Sequence, residues 1–348
     1  METWKRQLAD SVTQPEELPQ NLARNLEQLR EVVNHFPMRV TPYYLSLIRE
    51  VGDPIWRQCI PDPLELADDQ LIDPLNETGL SPVPGLIHRY PDRVVVLISS
   101  HCSVYCRFCM RKGRVGCTNA LSRRTVPQFD KIIEYIAANE AIRDVILSGG
   151  DPLLLDDDVL ESALRKLHVI PHLEIIRVGT RIPVTLPQRI TARLCRMLKR
   201  YQPLYINTHF NHPLEITAES SLACSRLADA GIPLGNQTVL LRGVNDEPCT
   251  MMRLMQQLLA IRVRPYYIHQ MDLVRGTRHF RTTVERGIDI MASLRGHTSG
   301  LANPHYVIDL PGGKGKVAVG PDCVQRKDGI LRLTNYLGEV IEYEEVGE

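Results

Sequence analysis

The sequence lacks an excess of charge of either sign, since its 348 residues include 41 Lys and Arg and 41 Asp and Glu. This balance argues against nucleic acid or an anionic membrane as the main partner. The sequence also lacks long apolar runs: a typical one, VVVLI at 94–98, is far shorter than the roughly 18 residues that a membrane span needs. The first twenty residues contain no apolar segment typical of a signal peptide. We therefore expect a soluble, cytoplasmic protein.

The chain also lacks the even number of cysteines that a disulfide framework would have, because it contains nine. A chain of this length does not need disulfides to be stable, which fits a reducing compartment. Six of the cysteines are scattered, and we expect them to be ordinary small apolar residues. These are Cys59, Cys117, Cys195, Cys224, Cys249 and Cys323. The other three lie within eight positions of one another.

The distribution of apolar residues predicts two kinds of structure along the chain. The first 80 or so residues predict helices, as in PEELPQNLARNLEQLREVVNHF, where apolar residues recur at helical spacing. From residue 94, short apolar runs alternate with helical patterns, which predicts a parallel sheet with both faces buried. The six predicted strands are 93–100, 144–150, 173–180, 203–210, 232–241 and 264–270. Six units are too few for a closed eight-fold barrel, but they suffice for a partial one. A helix near 283–294 and further strands follow.

The three clustered cysteines, Cys102, Cys106 and Cys109, are spaced C-x3-C-x2-C. Structural zinc usually takes four N or S ligands, and no second pair follows nearby. A redox C-x2-C pair would leave Cys102 without a role. A four-iron cluster usually takes four thiolates, so three would leave one iron open to a ligand from outside the protein. The spacing therefore favours an iron–sulfur cluster that can bind a further cofactor.

On this motif, placed after the first predicted strand, the sequence resembles the radical S-adenosylmethionine superfamily. The strings CRFCMRK, NTHFNHP, LGNQTVLLRGVND, RPYYIH, HFRT, LRGHTSG and DLPGGKGK make residues 80–340 similar to its lysine 2,3-aminomutase family. The resemblance implies an α/β fold: a partial (β/α)6 TIM-like barrel, with an N-terminal helical segment and a C-terminal extension that binds pyridoxal phosphate. We expect these regions to be 1–85, 86–280 and 281–348.

The resemblance also implies how the first cofactor is bound. The three cysteines would hold a [4Fe-4S] cluster, and S-adenosylmethionine would occupy the open iron. Other residues that match the family's S-adenosylmethionine site lie at the ends of predicted strands. They are Ser148, Gly149, Gly150, Asp151, His209 and Gln237. Each such residue taken singly is more often a turn residue or a hydrogen-bonded polar group.

Pyridoxal 5'-phosphate is the second cofactor that the resemblance implies. Lys316 matches the family lysine that binds it covalently, whereas Lys314 replaces a glycine of the family pattern and is expected to be a solvated charge. Arg89 and Arg93 match the phosphate-binding arginines, and Tyr90 is expected beside the ring. A lysine amine condenses with a carbonyl when it is deprotonated.

The resemblance implies a substrate as well. Arg111 matches the residue that binds the substrate carboxylate, and Asp272 and Asp309 match the pair that holds the ammonium of a lysine side chain. The expected reaction moves the α-amino group of L-lysine from C2 to C3, which gives β-lysine. The two carboxylates argue against glutamate as the substrate.

Several alternatives stay open at this point. The substrate could be arginine, whose cationic side chain would also satisfy two carboxylates. Alternatively, the enzyme could make β-lysine for attachment to a translation elongation factor, which needs the same chemistry. In a different class, the cysteines would hold zinc in a protein without redox activity. The resemblance further implies an electron donor such as flavodoxin or ferredoxin and a homo-oligomer. Since the C-terminal sequence has no zinc-binding cysteines, we expect no structural zinc there.

Overall fold

A nine-stranded sheet forms the centre of the molecule, and its strands follow one another in chain order. The computed structural model describes residues 2–116, 125–327 and 330–344. The strands of the sheet are β1 (Leu86–Tyr90), β2 (Arg93–Ser99), β3 (Asp144–Gly149), β4 (Ile175–Gly179), β5 (Leu204–Thr208), β6 (Leu234–Leu240), β7 (Arg264–Gln270), β8 (His305–Asp309) and β9 (Lys316–Val319). All six strands predicted from the apolar runs are present, as β2 to β7.

Strands β2 to β8 are parallel, whereas β1 and β9 pair antiparallel at the two edges. Val96, Leu147, Val178 and Ile206 are register neighbours on successive strands, and each is fully buried. They form one layer of the core between the sheet and its helices. In the described parts of the chain β1 does not pair with β9, so the sheet is open. This confirms the predicted partial barrel.

The helices pack around the sheet, and those that follow β2 connect its strands. They are α1 (Thr3–Ala9), α2 (Leu26–His35), α3 (Pro42–Leu45), α4 (Pro54–Cys59), α5 (Thr125–Ala137), α6 (Asp157–His168), α7 (Ile182–Thr185), α8 (Ala192–Lys199), α9 (Ala218–Asp229), α10 (Pro248–Ala260) and α11 (Val284–Leu294). The helix predicted near 283–294 is therefore confirmed as α11. No helix in the described residues is long and apolar enough to cross a bilayer.

The N-terminal region is less helical than its apolar spacing predicts. Pro15 starts a single turn that ends at Glu17, and α2 begins only at Leu26. Pro19 also lacks a backbone N–H and disfavours a helical conformation at the residue before it. The side chain of Asn25 then caps α2 by accepting from the Gln28 amide at 3.4 Å. The prolines and this cap divide a stretch whose periodicity alone predicts one helix.

The last strands form a second, separate sheet. It is antiparallel and contains β10 (Val324–Lys327), β11 (Ile330–Thr334) and β12 (Val340–Tyr343). By contrast, β8 and β9 belong to the central sheet, although they lie in the predicted C-terminal region. The division into three regions stays a prediction.

The scattered cysteines differ in their surroundings. Cys59, Cys195 and Cys224 are buried, as expected of small apolar residues. Cys323 is half-buried. Cys249 is exposed, so the expectation is wrong for that residue, which lies in the first turn of α10. Cys117 lies outside the described residues.

Candidate active site

The carboxyl ends of the parallel strands bring polar side chains to one edge of the sheet. His209 follows β5, and its Nδ1 lies 3.0 Å from the carbonyl oxygen of Gln237 in β6. His269 in β7 places its Nδ1 3.3 Å from Oδ2 of Asp309 in β8. Burial lowers the pKa of His209 to about 4, so its ring is neutral at pH 7. This edge therefore gathers residues that are far apart in the sequence, as the strand pattern predicts.

The loop after β2 carries the three clustered cysteines, and all three are half-buried. The Arg181 guanidinium donates from Nη1 to the Cys106 sulfur at 2.9 Å, and the Arg111 amide donates to the Cys109 sulfur at 3.3 Å. Burial raises the pKa of Cys102, and the charges of Asp151 and the other two cysteines raise it further. The loop therefore places three interacting sulfur atoms beside a buried arginine.

The pKa of Cys109 is likewise raised, to about 11, by burial and then by Cys106. Thiols with raised pKa values, such as those of Cys102 and Cys109, need a cationic group to hold them as thiolates. Across the described segments, no group of three His, Cys, Asp or Glu side chains is arranged as ligands to a single metal ion. The three sulfur atoms of this loop therefore fit a cluster, because its positively charged iron ions would hold them as thiolates.

Two glycines at the end of β3 allow the cysteine loop to pack closely. A Cβ atom on Gly149, whose φ is +116°, would lie 2.2 Å from the Ser99 carbonyl oxygen. One on Gly150 would lie 2.4 Å from the carbonyl oxygen of His101. The close approach that these glycines allow in this structure is therefore to protein backbone. Their predicted contact with S-adenosylmethionine stays a prediction.

Asp151 is buried and accepts several hydrogen bonds that fix the end of β4. It accepts from the Thr180 hydroxyl and from the Arg181 amide, each at 2.7 Å, and from the Leu153 amide at 3.1 Å. Burial raises its pKa to about 6, although these bonds favour the ionised form. In this structure Asp151 holds the backbone of the arginine that contacts Cys106. Its neighbour Ser148 accepts from Nη1 of Arg111 at 3.2 Å.

Asp309 joins the residues that match the pyridoxal phosphate site. Both of its carboxylate oxygens accept from Lys316 Nζ at 2.6 Å, and Arg89 Nη1 donates to it at 3.2 Å. Burial opposes its ionisation, but the hydrogen bonds and charges of His269 and Lys316 lower its pKa overall. Asp309, predicted to hold the substrate ammonium, therefore binds the ammonium of Lys316 here.

The surroundings of Lys316 contain groups that a phosphate and an aromatic ring require. The Lys316 amide donates to the Tyr90 hydroxyl at 2.9 Å, and the Arg93 guanidinium lies 4.5 Å from the centre of the Tyr90 ring. Arg89 Nε is buried and has no hydrogen-bond partner among the described residues. A buried N–H of this kind requires an acceptor, and a phosphate oxygen would supply one. Lys314 and Lys316 are both exposed, but among the described residues only Lys316 pairs with Asp309.

Asp272 follows β7 and is half-buried. Burial, and after it the negative charge of Asp309, raises its pKa to about 7. Two carboxyl groups that repel each other form a site for a cation, because a cation between them stabilises both charges. The structure thus brings the two predicted substrate aspartates into electrostatic contact.

Three residues of this edge were not among those predicted from the sequence. Arg181 and His269 lie at strand ends, so the rule that favours polar residues at such ends could have found both. Glu77 gives no such signal, because it lies in the irregular N-terminal region. It is buried and accepts from Nε and Nη2 of Arg111 at 2.7–3.2 Å.

Comparison with known proteins gives consistent similarities. Residues 96–255 match the family model described as the radical SAM superfamily, and residues 291–348 match the one described as lysine-2,3-aminomutase. The chain is 52% identical to an L-lysine 2,3-aminomutase of Fusobacterium nucleatum over 335 residues, which cover 95% of this chain and 77% of the relative. It is 50% identical to that of Clostridium subterminale over 351 residues, covering 98% and 84%.

A relative with a different substrate name is also similar. The glutamate 2,3-aminomutase of Clostridioides difficile is 44% identical over 349 residues, covering 98% of this chain and 82% of the relative. Family membership is thus compatible with more than one amino-acid substrate, so the substrate must be argued from the residues of this chain.

Proposed function

Because the chain belongs to the lysine 2,3-aminomutase family of the radical S-adenosylmethionine superfamily, we propose that it is an isomerase that moves the α-amino group of L-lysine from C2 to C3. The observation that favours a cationic over an acidic side chain is the pair Asp272 and Asp309, which interact at the same edge as Arg111. The relatives named L-lysine 2,3-aminomutase, at 50–52% identity, support lysine as that cationic amino acid. An α-amino acid with a cationic side chain satisfies all three residues. Glutamate would add a third carboxylate beside two existing ones.

The cofactors follow from the family and from the fit of the residues. Cys102, Cys106 and Cys109 would hold a [4Fe-4S] cluster, with S-adenosylmethionine near Ser148, Gly149, Gly150, Asp151, His209 and Gln237. Lys316, Arg89, Arg93 and Tyr90 would hold pyridoxal phosphate. When bound, the cluster and S-adenosylmethionine supply a carbon-centred radical, and pyridoxal phosphate supplies a carbonyl that takes up the amino group and a ring that delocalises an unpaired electron.

The residues of this chain bind and orient the substrate. Arg111 binds the α-carboxylate, and Asp272 with Asp309 binds the side-chain ammonium, so the ends of the substrate are fixed and one carbon faces the radical source. Asp309 must release Lys316 Nζ when it accepts the substrate ammonium. Lys316 would thereby be freed from its ion pair with Asp309.

The test is an anaerobic assay of the reduced enzyme with S-adenosylmethionine, pyridoxal phosphate and one amino acid at a time. We expect β-lysine from L-lysine, identified by mass spectrometry, and little turnover of L-arginine or L-glutamate. Product from arginine alone would overturn the proposed substrate. A colourless protein that contains zinc instead of iron would overturn the radical mechanism.

The partners and the location of the protein belong to the same proposal. The reaction needs a one-electron donor, which we propose to be a flavodoxin or ferredoxin, and we propose a homo-oligomer in the cytoplasm. Whether the product serves free amino-acid metabolism or modification of an elongation factor depends on what consumes β-lysine. Co-purification of the protein with its native reductant tests the proposed electron donor, and the molar mass in solution tests the proposed homo-oligomer.

A further inference from the structure

A segment of the N-terminal region, residues 71–80, lies between the loop that carries the cysteines and the loop that carries Lys316. The Gly312 amide donates to the Pro74 carbonyl at 2.8 Å on one side. Arg114 donates to Asp73 at 3.2 Å on the other side. Because this 71–80 segment contacts both loops, a side chain on it is well placed to orient groups of the site.

Glu77 is the buried acidic residue of this segment, and its side chain is 5% exposed. It faces the Arg111 guanidinium, whose side chain is 13% exposed, and accepts from Nε at 3.0 and 3.2 Å and from Nη2 at 2.7 Å. The Glu77 amide is itself held by Asp73 Oδ1 at 2.8 Å. Two parallel bonds between a carboxylate and a guanidinium fix the orientation of both groups.

The pairing leaves one particular edge of Arg111 for a ligand. A guanidinium offers two edges to a carboxylate, one formed by Nε with Nη2 and one formed by Nη1 with Nη2. Glu77 occupies the first edge. On the second, Nη1 donates to the Ser148 hydroxyl at 3.2 Å, a weakly held neutral partner that a carboxylate can replace.

We propose that Glu77 is a positioning residue: it holds Arg111 so that the substrate carboxylate is bound only through the Nη1–Nη2 edge, and it thereby sets the preference of the site for amino acids with a free α-carboxylate. The inference rests on the proposed role of Arg111 in substrate binding. It assigns to the N-terminal region a part in substrate selection.

Glu77→Gln tests this inference, since the variant keeps the shape of the side chain but cannot accept two charge-assisted bonds. Binding is measured without turnover, from the absorbance change of enzyme-bound pyridoxal phosphate on titration with L-lysine or with L-lysinamide, which lacks the carboxylate. We expect affinity for L-lysine to fall about tenfold, since one charge-assisted bond is weakened, and affinity for L-lysinamide to stay within about twofold. Asp69→Asn, at an exposed position nearby, is the control for the loss of charge.

The alternatives give different results. If Glu77 only stabilises the fold, both ligands lose affinity equally. If Glu77 only neutralises Arg111, its removal strengthens binding of L-lysine. Either result overturns the proposal. A wild-type enzyme that binds L-lysine but produces no β-lysine would contradict the proposed function, while the ratio of the two affinities would still decide the role of Glu77.

Discussion

At the scale of single residues, Lys314 and Lys316 offer a direct test of the cofactor site. Only Lys316 lies against Asp309, at 2.6 Å, and beside Tyr90. We expect Lys316→Ala to abolish covalent attachment of pyridoxal phosphate and Lys314→Ala to retain it. Borohydride reduction followed by peptide mass spectrometry locates the attached cofactor. Attachment at residue 314 in the wild type would contradict the assignment.

Asp272 predicts how substrate binding depends on pH. Its pKa is raised to about 7, so the group is neutral below that pH and ionised above it. The side-chain ammonium of L-lysine favours the ionised form, so binding releases a proton from Asp272 at low pH. We expect affinity for L-lysine to fall about tenfold between about pH 8 and about pH 6.

Asp272→Asn is the matched control for this dependence, because the amide does not titrate. In this variant we expect weaker binding with most of the change between those pH values removed. Titration of the cofactor absorbance with L-lysine at each pH measures both proteins. A variant with the same pH profile as the wild type would show that another group causes the dependence.

The residues that the sequence predicts are those whose role depends on local spacing. The cysteines are recognised by their separation, whereas the glycine-rich loop offers two lysines and only the family resemblance selects Lys316. Glu77 is different, because its partner Arg111 is 34 positions away and no local pattern links them. The burial of Glu77 beside Arg111 can be recognised only in the folded structure.

At the scale of elements, the contact between β3 and the cysteine loop depends on glycine. A Cβ on Gly150 would lie 2.4 Å from the His101 carbonyl oxygen and 2.6 Å from its nitrogen, both backbone atoms. We expect Gly150→Ala to displace the loop, to cost about 1–3 kcal/mol in free energy of unfolding, and to lower the iron bound per chain severalfold.

Gly300→Ala is the control, because nothing lies within 4 Å of a Cβ at that position. Chemical denaturation and iron analysis of anaerobically reconstituted protein measure the two effects. Iron content equal to that of the wild type in Gly150→Ala would show that the loop tolerates the displacement.

The strands were predicted well and the N-terminal helices poorly, for a physical reason. The strands coincide with short apolar runs, which are visible in the sequence. The expectation that both faces are buried is wrong in detail, because along β2, β4 and β6 fully buried residues alternate with half-buried ones. A helix boundary depends on caps and prolines, so Asn25 and Pro19 override the apolar spacing around them. The partial barrel was therefore predictable, and the division of its first region into short helices was not.

At the scale of the whole molecule, the central sheet tests the predicted boundary at residue 280. Strand β7 pairs with β8 through Tyr267 and His305, Ile268 and Tyr306, and His269 and Val307. A chain that ends at 280 would leave β7 as an exposed edge, whereas one that ends at 320 keeps β8 and β9. We expect the shorter chain to aggregate and the longer one to unfold cooperatively.

Size-exclusion chromatography and thermal unfolding followed by circular dichroism compare the two truncated chains. Cooperative unfolding of the chain that ends at 280 would establish a domain boundary there. Failure of the chain that ends at 320 would instead make the second sheet, β10 to β12, necessary for the fold.

The bond between the Gly312 amide and the Pro74 carbonyl also has a consequence for the order of events during synthesis. A ribosome makes residues 71–80 and the cysteine loop long before it makes residues 305–319. The Lys316 loop, the last strand pairs of the central sheet and the contact of Asp309 with Arg89 therefore form late. A nascent chain therefore contains the three cysteines well before it contains the residues that would complete the pocket for an amino acid.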